Sequence, residues 1–459
     1  MRTLILSFAG LLVATAASAQ PQLIATATID GNSRDLATET SAPLENGVPG
    51  NLLGGIGSGL AYAGGDTFVA LPDRGPNAKP YNPALDDTAS YITRFQTFSL
   101  HLTPQSSGLP FSLTPVLKAT TLLSSATPLV YGDGKAAGVP NGAPALNRAD
   151  RFYFTGRSDN FAAGKDSLND ANARFDPESI RVSADGKLVF VSDEYGPDLY
   201  QFDRATGVRT KSFKLPQSFA VAQPGPRGDA GEIPNNTRGR VANKGMEGLA
   251  ITPDGRTLVG IMQNPLLQDG GSKTACVRLV TVDIATGVTH QYAYATTNIG
   301  TADKPKYAGI SEIVAVNAHT FLVDERDGKG RGDGSPAAFK RLFRVDIANA
   351  ATVDDIEGAD ALTAKALPKT LAFDLVQIFT ASGIDASAIP AKIEGLAFGP
   401  DVTVAGKTRH TLWVTNDNDF LATAPGAGGA TVDNPNAFYV IGFDDADLPG
   451  LQPQVISGR

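Results

Sequence analysis

The chain has 459 residues, of which 42% are hydrophobic and 19% are charged, as in an ordinary soluble globular protein. Its formal net charge of -8 argues against nucleic acid and anionic membranes as partners, because both carry negative charge. The single cysteine, Cys276, excludes an internal disulfide, so a large core or a bound metal must stabilise the fold.

The N-terminal residues 1–19 have the pattern of a secretory signal peptide. One cation, Arg2, precedes an apolar run, and the triplet Ala-Ser-Ala that ends at Ala19 has the A-x-A form of a signal-peptidase site. We therefore predict cleavage after Ala19 and a periplasmic or secreted location. After Gln20 no apolar run reaches the roughly 18 residues that span a bilayer, so we predict no membrane span. We also expect a monomer.

The mature chain repeats one pattern five times: a short apolar strand, a turn, a second apolar strand and a third, with a fourth strand in several copies. Two of the turns contain the Asp-Gly pairs 185–186 and 254–255, which tolerate the positive φ of a tight hairpin. The 49 glycines and 30 prolines agree with many turns and few long helices. The copies begin at Gly57, Pro177, Met246, Ser311 and Ile393.

Strands repeated in this way predict an all-β fold, a β-propeller. We predict five blades in a single domain over residues 20–459, with six blades as the alternative if the insertion near 124–176 contains a degenerate one. The strand at 23–29 is predicted to complete the last blade and so to close the ring. Smaller insertions near 223–243 and 421–436 are rich in Gly, Pro, Asn and Ala, and we expect them on the surface.

Acidic and amide residues recur at the start of the first strand and at the end of the second. Because these strands form an antiparallel hairpin, both places lie at the same end of a blade, next to the central channel. We therefore expect the side chains to form a ring around the axis. The residues that open the first strand are Ser58, Glu178, Glu247, Glu312 and Glu394. The residues that end the second strand are Asp73, Asp193, Gln263, Asp324 and Asn416, followed by Arg74, Glu194, Asn264, Glu325 and Asp417.

A ring of carboxylates requires a compensating charge, since two of them about 4 Å apart repel by on the order of 4 kcal/mol at an effective dielectric of about 20. The ring offers hard oxygen ligands, and none of the four histidines lies in it. Ca²⁺ therefore fits better than zinc. The alternative is that these residues only hold turns by hydrogen bonding to the backbone. The predicted metal ligands are Asp73, Asp193, Glu194, Asn264, Asp324, Glu325, Asn416 and Asp417.

Four cations near the acids are candidates for binding a small anionic ester. The planar fork of arginine matches phosphate or carboxylate oxygens, and a metal surrounded by Arg and Lys suits such a substrate. Each cation could instead be the partner of a simple salt bridge. The four are Arg74, Arg157, Lys244 and Arg326.

Three groups of residues carry a family resemblance: FDPESIRVSADGKLVFVSDEYGPDLYQFD, NKGMEGLAITPDGRTLVGIMQNPL, and KIEGLAFGPD with LWVTNDNDF. They closely resemble the phytase-like family, described as having esterase-like activity of phytase. The resemblance implies an exported bacterial protein whose recurrent acids are the catalytic candidates. By analogy with propeller phytases, carboxylates would hold Ca²⁺ while Lys and Arg bind phosphate. The catalytic residues so implied are Glu178, Glu247, Glu312 and Glu394.

These observations predict a Ca²⁺-dependent hydrolase of phosphate esters, either a phosphomonoesterase or a phosphodiesterase. In this interpretation the metal polarises the phosphoryl oxygen, Arg74 and Lys244 neutralise developing charge, and a channel glutamate acts as general base. A calcium-dependent lactonase or carboxylesterase is the second interpretation. The third is a non-catalytic propeller whose metal is structural and whose loops bind a sugar or envelope ligand.

Overall fold

The computed structural model describes residues 20–78, 88–133 and 142–457, and they fold as the predicted five-bladed β-propeller. Five sheets stand around one axis, and the innermost strand of each contacts the innermost strands of the two neighbouring blades. The predicted signal peptide lies outside the described residues. Within the described ranges, no helix combines the length and the hydropathy needed to cross a bilayer.

Strand numbers follow the chain, and β1 spans Gln22–Ile29. Blade 1 consists of β2 (Gly59–Tyr62), β3 (Thr67–Leu71), β4 (Arg94–Pro104) and β5 (Phe111–Leu122). The short strands β6 (Ser124–Ser125) and β7 (Phe152–Tyr153) precede β8 (Pro177–Val182), β9 (Leu188–Asp193), β10 (Leu199–Asp203) and β11 (Val208–Ser212) of blade 2. Blade 3 consists of β12 (Met246–Ile251), β13 (Thr257–Met262), β14 (Cys276–Asp283) and β15 (Thr289–Ala295).

Blade 4 consists of β16 (Gly309–Ala315), β17 (Thr320–Arg326), β18 (Lys340–Asp346) and β19 (Lys369–Asp374). Blade 5 contains β20 (Ile393–Val404) and β21 (Lys407–Asn416), then the small hairpin of β22 (Thr423–Pro425) and β23 (Thr431–Asp433), and finally β24 (Asn436–Phe443). The α-helices are α1 (Ala359–Thr363) and α2 (Leu375–Ala381). Short 3₁₀ turns span Thr38–Thr40, Gln217–Phe219, Ile233–Asn235, Leu267–Asp269, Gly271–Lys273 and Ala427–Gly429, and a π turn spans Gly228–Glu232.

The outermost strand of blade 5 comes from the N-terminal part of the chain. β1 pairs antiparallel with β24, and Ile29 lies opposite Asn436. The pairing satisfies backbone groups of β24 that would otherwise form an open edge.

The long insertion extends blade 2. Strand β6 pairs in parallel with β11 and antiparallel with β7, so this sheet has six strands. In the described part of the chain, the insertion contributes these two strands and no blade of its own.

Apolar side chains fill the spaces between blades, because each sheet is covered on both faces by its neighbours. Trp413 of β21 contacts Phe68 of β3, with ring centroids 4.5 Å apart, and so joins blade 5 to blade 1. Phe175 stacks on Tyr200 at 5.3 Å within the cluster that joins blades 1 and 2. Burying one such side chain stabilises a fold by about 1.5–3 kcal/mol. Packing between blades therefore holds the ring together without disulfides.

Strand pairing shows that the predicted register is wrong by one residue in both inner strands of blade 4 and at the end of the second strand of blade 3, since Glu325 and Met262 are the equivalents of Asp193. In the inner hairpins of blades 2, 3, 4 and 5, a β-bulge lies directly after one pair of opposed residues. Because the bulge marks the same place in each hairpin, these four residue pairs are equivalent. The equivalent of Glu178 in blade 4 is therefore Ser311, and Glu312 lies one position deeper in the channel. Buried strands are apolar on both faces, so their sequence pattern does not fix the register. The equivalent pairs are Pro177–Asp193, Met246–Met262, Ile310–Glu325 and Ile393–Asn416.

The two ends of the channel differ. At the upper mouth the first strand of each blade begins and the second ends, and at the lower mouth lie the hairpin turns. The lower mouth contains a cavity of about 840 Å³ lined by turns of several blades and by the C-terminal strap, residues 452–457. The Gln452 N–H donates to the Val316 carbonyl after β16 at 2.8 Å, and the Ser457 N–H donates to the Ala184 carbonyl after β8 at 2.8 Å. The strap therefore connects blades 4 and 2 across the lower mouth.

Candidate functional site

Three carboxylates of blade 2 meet at the upper mouth. Asp176 precedes β8, Glu178 lies in β8 and Glu194 follows β9. One carboxylate oxygen of each lies within 4.8 Å of the other two, and all three residues are buried. They come together because the start of β8 lies beside the end of β9 in the antiparallel hairpin. We call these three residues the acid cluster.

Asp193 holds the backbone of the acid cluster in place. Its Oδ1 accepts a hydrogen bond from the Asp176 N–H at 2.6 Å, and its Oδ2 accepts one from the Gly196 N–H at 2.5 Å. The Glu194 N–H donates to the Asp176 carbonyl at 2.9 Å. Both oxygens of Asp193 are thus engaged by backbone donors that fix the turn after β9.

An arginine of blade 1 contacts the acid cluster. Arg74 Nη1 donates to Asp176 Oδ2 at 2.9 Å, and the Arg74 backbone N–H donates to Oδ1 at 2.9 Å. The same Nη1 lies 3.7 Å from Glu194 Oε2. One guanidinium charge does not balance three carboxylates.

Four buried carboxylate oxygens of the described residues lack a hydrogen-bond donor: both oxygens of Asp324 in β17, and one oxygen each of Glu194 and Glu247. Within the described residues, neither Glu194 Oε2 nor Glu247 Oε2 accepts a hydrogen bond, although both atoms are inaccessible to solvent. A buried acceptor without a donor is costly to the fold, and a bound cation removes that cost. The donor set consists of hard carboxylate oxygens, the ligands that Ca²⁺ prefers. The acid cluster therefore fits a calcium ion.

Burial and mutual repulsion raise the pKa values of these carboxyl groups. Burial, reinforced by the charge of Asp176, raises the pKa of Glu178 and of Glu194 well above the ordinary value. Burial and the charge of Glu394 raise the pKa of Glu247 to about 8. Without a cation these groups therefore retain protons at pH values where an exposed glutamate is ionised.

Basic side chains alternate with acids around the remainder of the upper mouth. Arg326 Nη2 donates to Glu394 Oε1 at 2.6 Å. Lys392 Nζ donates to Asp417 Oδ2 at 2.6 Å and to Asp419 Oδ1 at 2.5 Å. These ion pairs balance part of the negative charge of blade 5.

Lys244 differs from these cations because its partner is neutral. Its Nζ donates to Gln263 Oε1 at 2.8 Å, and no carboxylate of the described chain lies within ion-pair distance of it. The residue before it, Asn243, has a φ of 54°, a left-handed conformation that asparagine adopts more readily than most non-glycine residues. The charge of Lys244 is therefore available to an anionic ligand.

Asp73 and Asp417 connect the acid cluster to blade 5. Burial first, and then the charge of Asp417, raises the pKa of Asp73 well above its ordinary value. The charge of Arg74 lowers the pKa of Asp73, and the charge of Asp176 raises it. Both predicted metal ligands thus lie at the same mouth as the acid cluster.

Glu312 lies deeper and is not part of the acid cluster. It is fully buried, and its Oε2 lies 2.9 Å from Arg181 Nη2. The register of blade 4 explains this position, because Ser311 occupies the place that was assigned to Glu312.

Two further predicted ligands are engaged elsewhere. Glu325 accepts a hydrogen bond from Tyr294 Oη at 2.5 Å and pairs with Lys369, between blades 3 and 4. Asn264 donates to Ser272 Oγ at 2.6 Å in the loop after β13.

Three other predicted residues are also apart from the acid cluster. Asp324 is fully buried in β17, where burial raises its pKa well above the ordinary value. Asn416 Oδ1 accepts a hydrogen bond from the Ala437 N–H at 2.7 Å and so joins β21 to β24. Arg157 Nη1 donates to Ser90 Oγ at 3.2 Å.

Three residues of the upper mouth are absent from the sequence-based prediction. Asp176 and Lys392 occupy equivalent positions, two residues before Glu178 and Glu394 respectively. The sequence contains a signal for both residues, because the motifs D-P-E and K-I-E each place a charged residue two positions before the recurrent glutamate. Asp419, which binds Lys392, is also absent from the prediction.

The phytase-like family, described by esterase-like activity of phytase, matches residues 51–420, which is most of the chain. This chain belongs to the phytase-like family. The matched region contains the acid cluster, Lys244 and the innermost strands of all five blades.

Other comparisons place this phytase-like chain beside more distant proteins. A protein of Arthroderma benhamiae named "Uncharacterized secreted protein" is 29% identical over 289 residues, which cover 53% of this chain and 51% of that protein. The chain thus spans about half the length of this relative.

Solved structures that resemble the phytase-like chain include the periplasmic gluconolactonase of Pseudomonas aeruginosa, with 12% identity, coverage of 84% of this chain and 88% of that one, and a TM-score of 0.32. A β-propeller domain from Myceliophteria thermophila has 10% identity, coverage of 56% and 52%, and a TM-score of 0.22. These overlaps are loose, and the architecture rests on the strand pairing of the chain itself.

We expect the calcium-free phytase-like protein to lose stability as the pH rises from about 5 to about 8. Glu178 and Glu194 have raised pKa values and that of Glu247 is about 8, so the folded state retains protons that the unfolded state releases near the ordinary value of 4.5. The folded state therefore binds more protons in this window, and the free energy of unfolding falls with rising pH. Thermal melts of chelator-treated protein would measure this trend. Calcium should flatten it, and a melting temperature that rises with pH in the chelated protein would contradict it.

Proposed function

We propose that this protein is an exported, calcium-dependent hydrolase of phosphate esters. The observation that carries the proposal is the acid cluster: three buried carboxylates within 4.8 Å of one another, one of them with an oxygen that lacks a donor. The esterase-like description of the family supports a hydrolase, and the name of the Arthroderma benhamiae relative supports export.

In this proposal Asp176, Glu178 and Glu194 hold the calcium ion, with Asp73 as a further ligand, while Asp417 keeps its ion pair with Lys392. A bound Ca²⁺ supplies a Lewis acid that polarises an ester oxygen and lowers the pKa of a bound water. Asp193 keeps the acid cluster in place through its backbone hydrogen bonds, and the raised pKa values mean that calcium must displace protons to bind.

The cations of the upper mouth bind the substrate. Lys244 has a neutral partner and Arg74 reaches the edge of the acid cluster, so both are suited to non-bridging oxygens of a phosphate ester. Arg326 is held in orientation by its hydrogen bond to Glu394, and its positive charge also attracts the phosphate oxygens.

Glu247 supplies the proton. Its pKa of about 8 leaves it protonated at neutral pH, so it is suited to act as a general acid that protonates the leaving group. Its Oε2 accepts no hydrogen bond within the described residues, which leaves that atom free for this transfer.

One observation favours a second candidate function, hydrolysis of a lactone or carboxylic ester. Of the basic residues at the upper mouth, Arg74, Arg326 and Lys392 pair with carboxylates, and Lys244 has the neutral Gln263 as its partner. A site with little free positive charge suits a neutral ester better than a polyanion such as phytate.

An assay of the mature protein distinguishes these functions. Chelator-treated protein would be measured with and without Ca²⁺ on p-nitrophenyl phosphate, bis-(p-nitrophenyl) phosphate, phytate and δ-valerolactone. We expect calcium to restore turnover of a phosphate ester by at least about tenfold.

Turnover of the lactone alone would replace the proposal by the second candidate. A melting temperature raised by calcium without turnover of any of the four compounds would indicate a non-catalytic binding propeller. A protein with neither response would overturn the calcium site itself.

A further inference from the structure

Glu312 and Arg181 fill the centre of the channel, one below the other, under the acid cluster. The positions equivalent to them in other blades carry small residues or valine, so each layer has room for one large side chain. Around Glu312 these residues are Gly59, Ser179, Gly248 and Gly395. Around Arg181 they are Ala61, Ala250, Val314 and Ala397.

The Glu312 carboxylate accepts hydrogen bonds from three blades. Its Oε1 accepts from the Leu249 N–H of blade 3 at 3.1 Å and from the Ile313 N–H of blade 4 at 2.9 Å. Ser179 Oγ of blade 2 lies 2.9 Å from Oε1 and 2.8 Å from Oε2. One side chain thus ties together the innermost strands of blades 2, 3 and 4.

Arg181 completes the arrangement from below. Its Nη1 donates to the Leu60 carbonyl of blade 1 at 2.7 Å and to the Ile180 carbonyl at 2.6 Å. Its Nη2 donates to the Ile313 carbonyl at 2.9 Å and pairs with Glu312. The guanidinium thus binds the channel wall and one carboxylate at the inner end of the lower cavity, which Arg181 helps to line.

The inner strands approach one another closely at this level. A Cβ atom on Gly248 would lie 2.8 Å from the Ile313 nitrogen, and one on Gly59 would lie 3.0 Å from the Ile180 nitrogen. Real Cβ atoms essentially never approach backbone closer than 3.0 Å. Glycine at these positions therefore permits the close approach of inner strands that the hydrogen bonds of Glu312 connect.

The hydrogen bonds of Glu312 connect it to β8 and β12, the strands that carry Glu178 and Glu247 of the proposed site. Ser179 follows Glu178, and Leu249 lies two residues after Glu247. Resting on the proposed function, we propose that Glu312 is a positioning residue that holds Glu178 and Glu247 in register for calcium binding and proton transfer. It does not touch the substrate.

Paired variants separate this role from the charge of the ion pair. Glu312→Gln with Arg181→Met removes both charges but keeps an amide oxygen for the Leu249 and Ile313 donors. Glu312→Leu with Arg181→Met removes the acceptors as well. Asp269→Leu with Arg278→Met is the matched control, because it removes a buried ion pair with an Nε to Oδ2 distance of 2.7 Å away from the acid cluster.

Two measurements are made on each full-length mature variant: the calcium Kd by titration with Ca²⁺, and amide hydrogen exchange of β8 and β12. We expect the variant without acceptors to bind calcium about 10- to 100-fold more weakly, as for other residues that orient metal ligands, and to exchange faster in both strands. The amide variant and the control should retain nearly the wild-type Kd.

A folded Glu312→Leu/Arg181→Met protein with wild-type calcium affinity and wild-type exchange would overturn the positioning role. If that variant does not fold, Ser179→Ala serves instead, since it removes one donor to Glu312 and should weaken calcium binding several-fold with little change in melting temperature. An unchanged Kd in Ser179→Ala would then overturn the role. Wild-type protein that binds no calcium would overturn the proposed function, and hydrogen exchange in β8 and β12 would then decide the positioning role by itself.

Discussion

Glu194→Gln is expected to raise the melting temperature of the calcium-free protein and to remove most of the stabilisation that calcium gives. In the absence of metal, the Glu194 carboxylate adds repulsion to a buried cluster whose oxygens lie within 4.8 Å of one another, and its Oε2 has no hydrogen-bond donor within the described residues. An amide removes that charge. The same change removes an anionic ligand, so calcium at 100 times the wild-type Kd should no longer add about 2.7 kcal/mol to the free energy of unfolding.

Thermal melts at pH 8, with chelator and with calcium, would show the two effects as opposite shifts. An alkaline pH is used because burial raises the pKa of Glu194, so the carboxyl ionises further, and the repulsion grows, as the pH rises. Glu232→Gln is the matched control, since Glu232 is a buried glutamate outside the acid cluster whose charge is paired with Arg240. A Glu194→Gln protein that calcium stabilises as strongly as wild type would exclude Glu194 as a ligand.

Glu247→Gln is expected to lower kcat/KM on the best phosphate ester by about 10²- to 10⁴-fold, the range typical of a lost general acid. The amide has nearly the same shape as the acid, so Lys244 and Gln263 remain in place, but it has no proton to give. Calcium should still raise the melting temperature of this variant, because Glu247 lies outside the acid cluster.

The pH profile provides the check on the role of Glu247. With a pKa of about 8, Glu247 loses its proton as the pH rises through that value, so the wild-type rate should fall on the alkaline side. The residual rate of Glu247→Gln should lack this alkaline limb. A variant with wild-type activity, or with an unchanged alkaline limb, would exclude Glu247 as the acid.

The five blades and the upper mouth are predictable from the sequence because local signals specify them. Asp-Gly turns at 185–186 and 254–255 mark two hairpins, and the antiparallel geometry then requires that Glu178 and Glu194 meet. The hairpin geometry of β8 and β9 does not depend on how the blades pack against one another. The meeting of Glu178 and Glu194 in blade 2 is therefore predictable from the local sequence.

The place of Glu312 is not predictable in the same way. The motif S-E-I-V-A-V in blade 4 aligns by its apolar residues in two registers, and only the bulge after Ile310 selects between them. A bulge depends on how neighbouring strands pack, which the local pattern does not contain. The one-residue difference moves Glu312 from the upper mouth into the channel.

Lys392 shows the same hairpin geometry within blade 5, because it precedes β20 and its partners follow the paired strand β21. In sequence it is a single cation before a strand, but in the structure its Nζ reaches Asp417 and Asp419, which follow a different strand. Asp176 at the equivalent place in blade 2 has the opposite charge. The upper mouth therefore has one side suited to a metal and another side where lysine already supplies the positive charge.

The C-terminal strap has a practical consequence for anyone who handles this protein. Gln452 and Ser457 are anchored to blades that are not neighbours, and Gln454 Nε2 also donates to the Val182 carbonyl at 2.8 Å. An affinity tag or a fluorescent fusion placed directly after Ser457 would lie next to these anchors, on the underside of the ring. Purification handles are better attached ahead of Gln22, on the outer rim of blade 5.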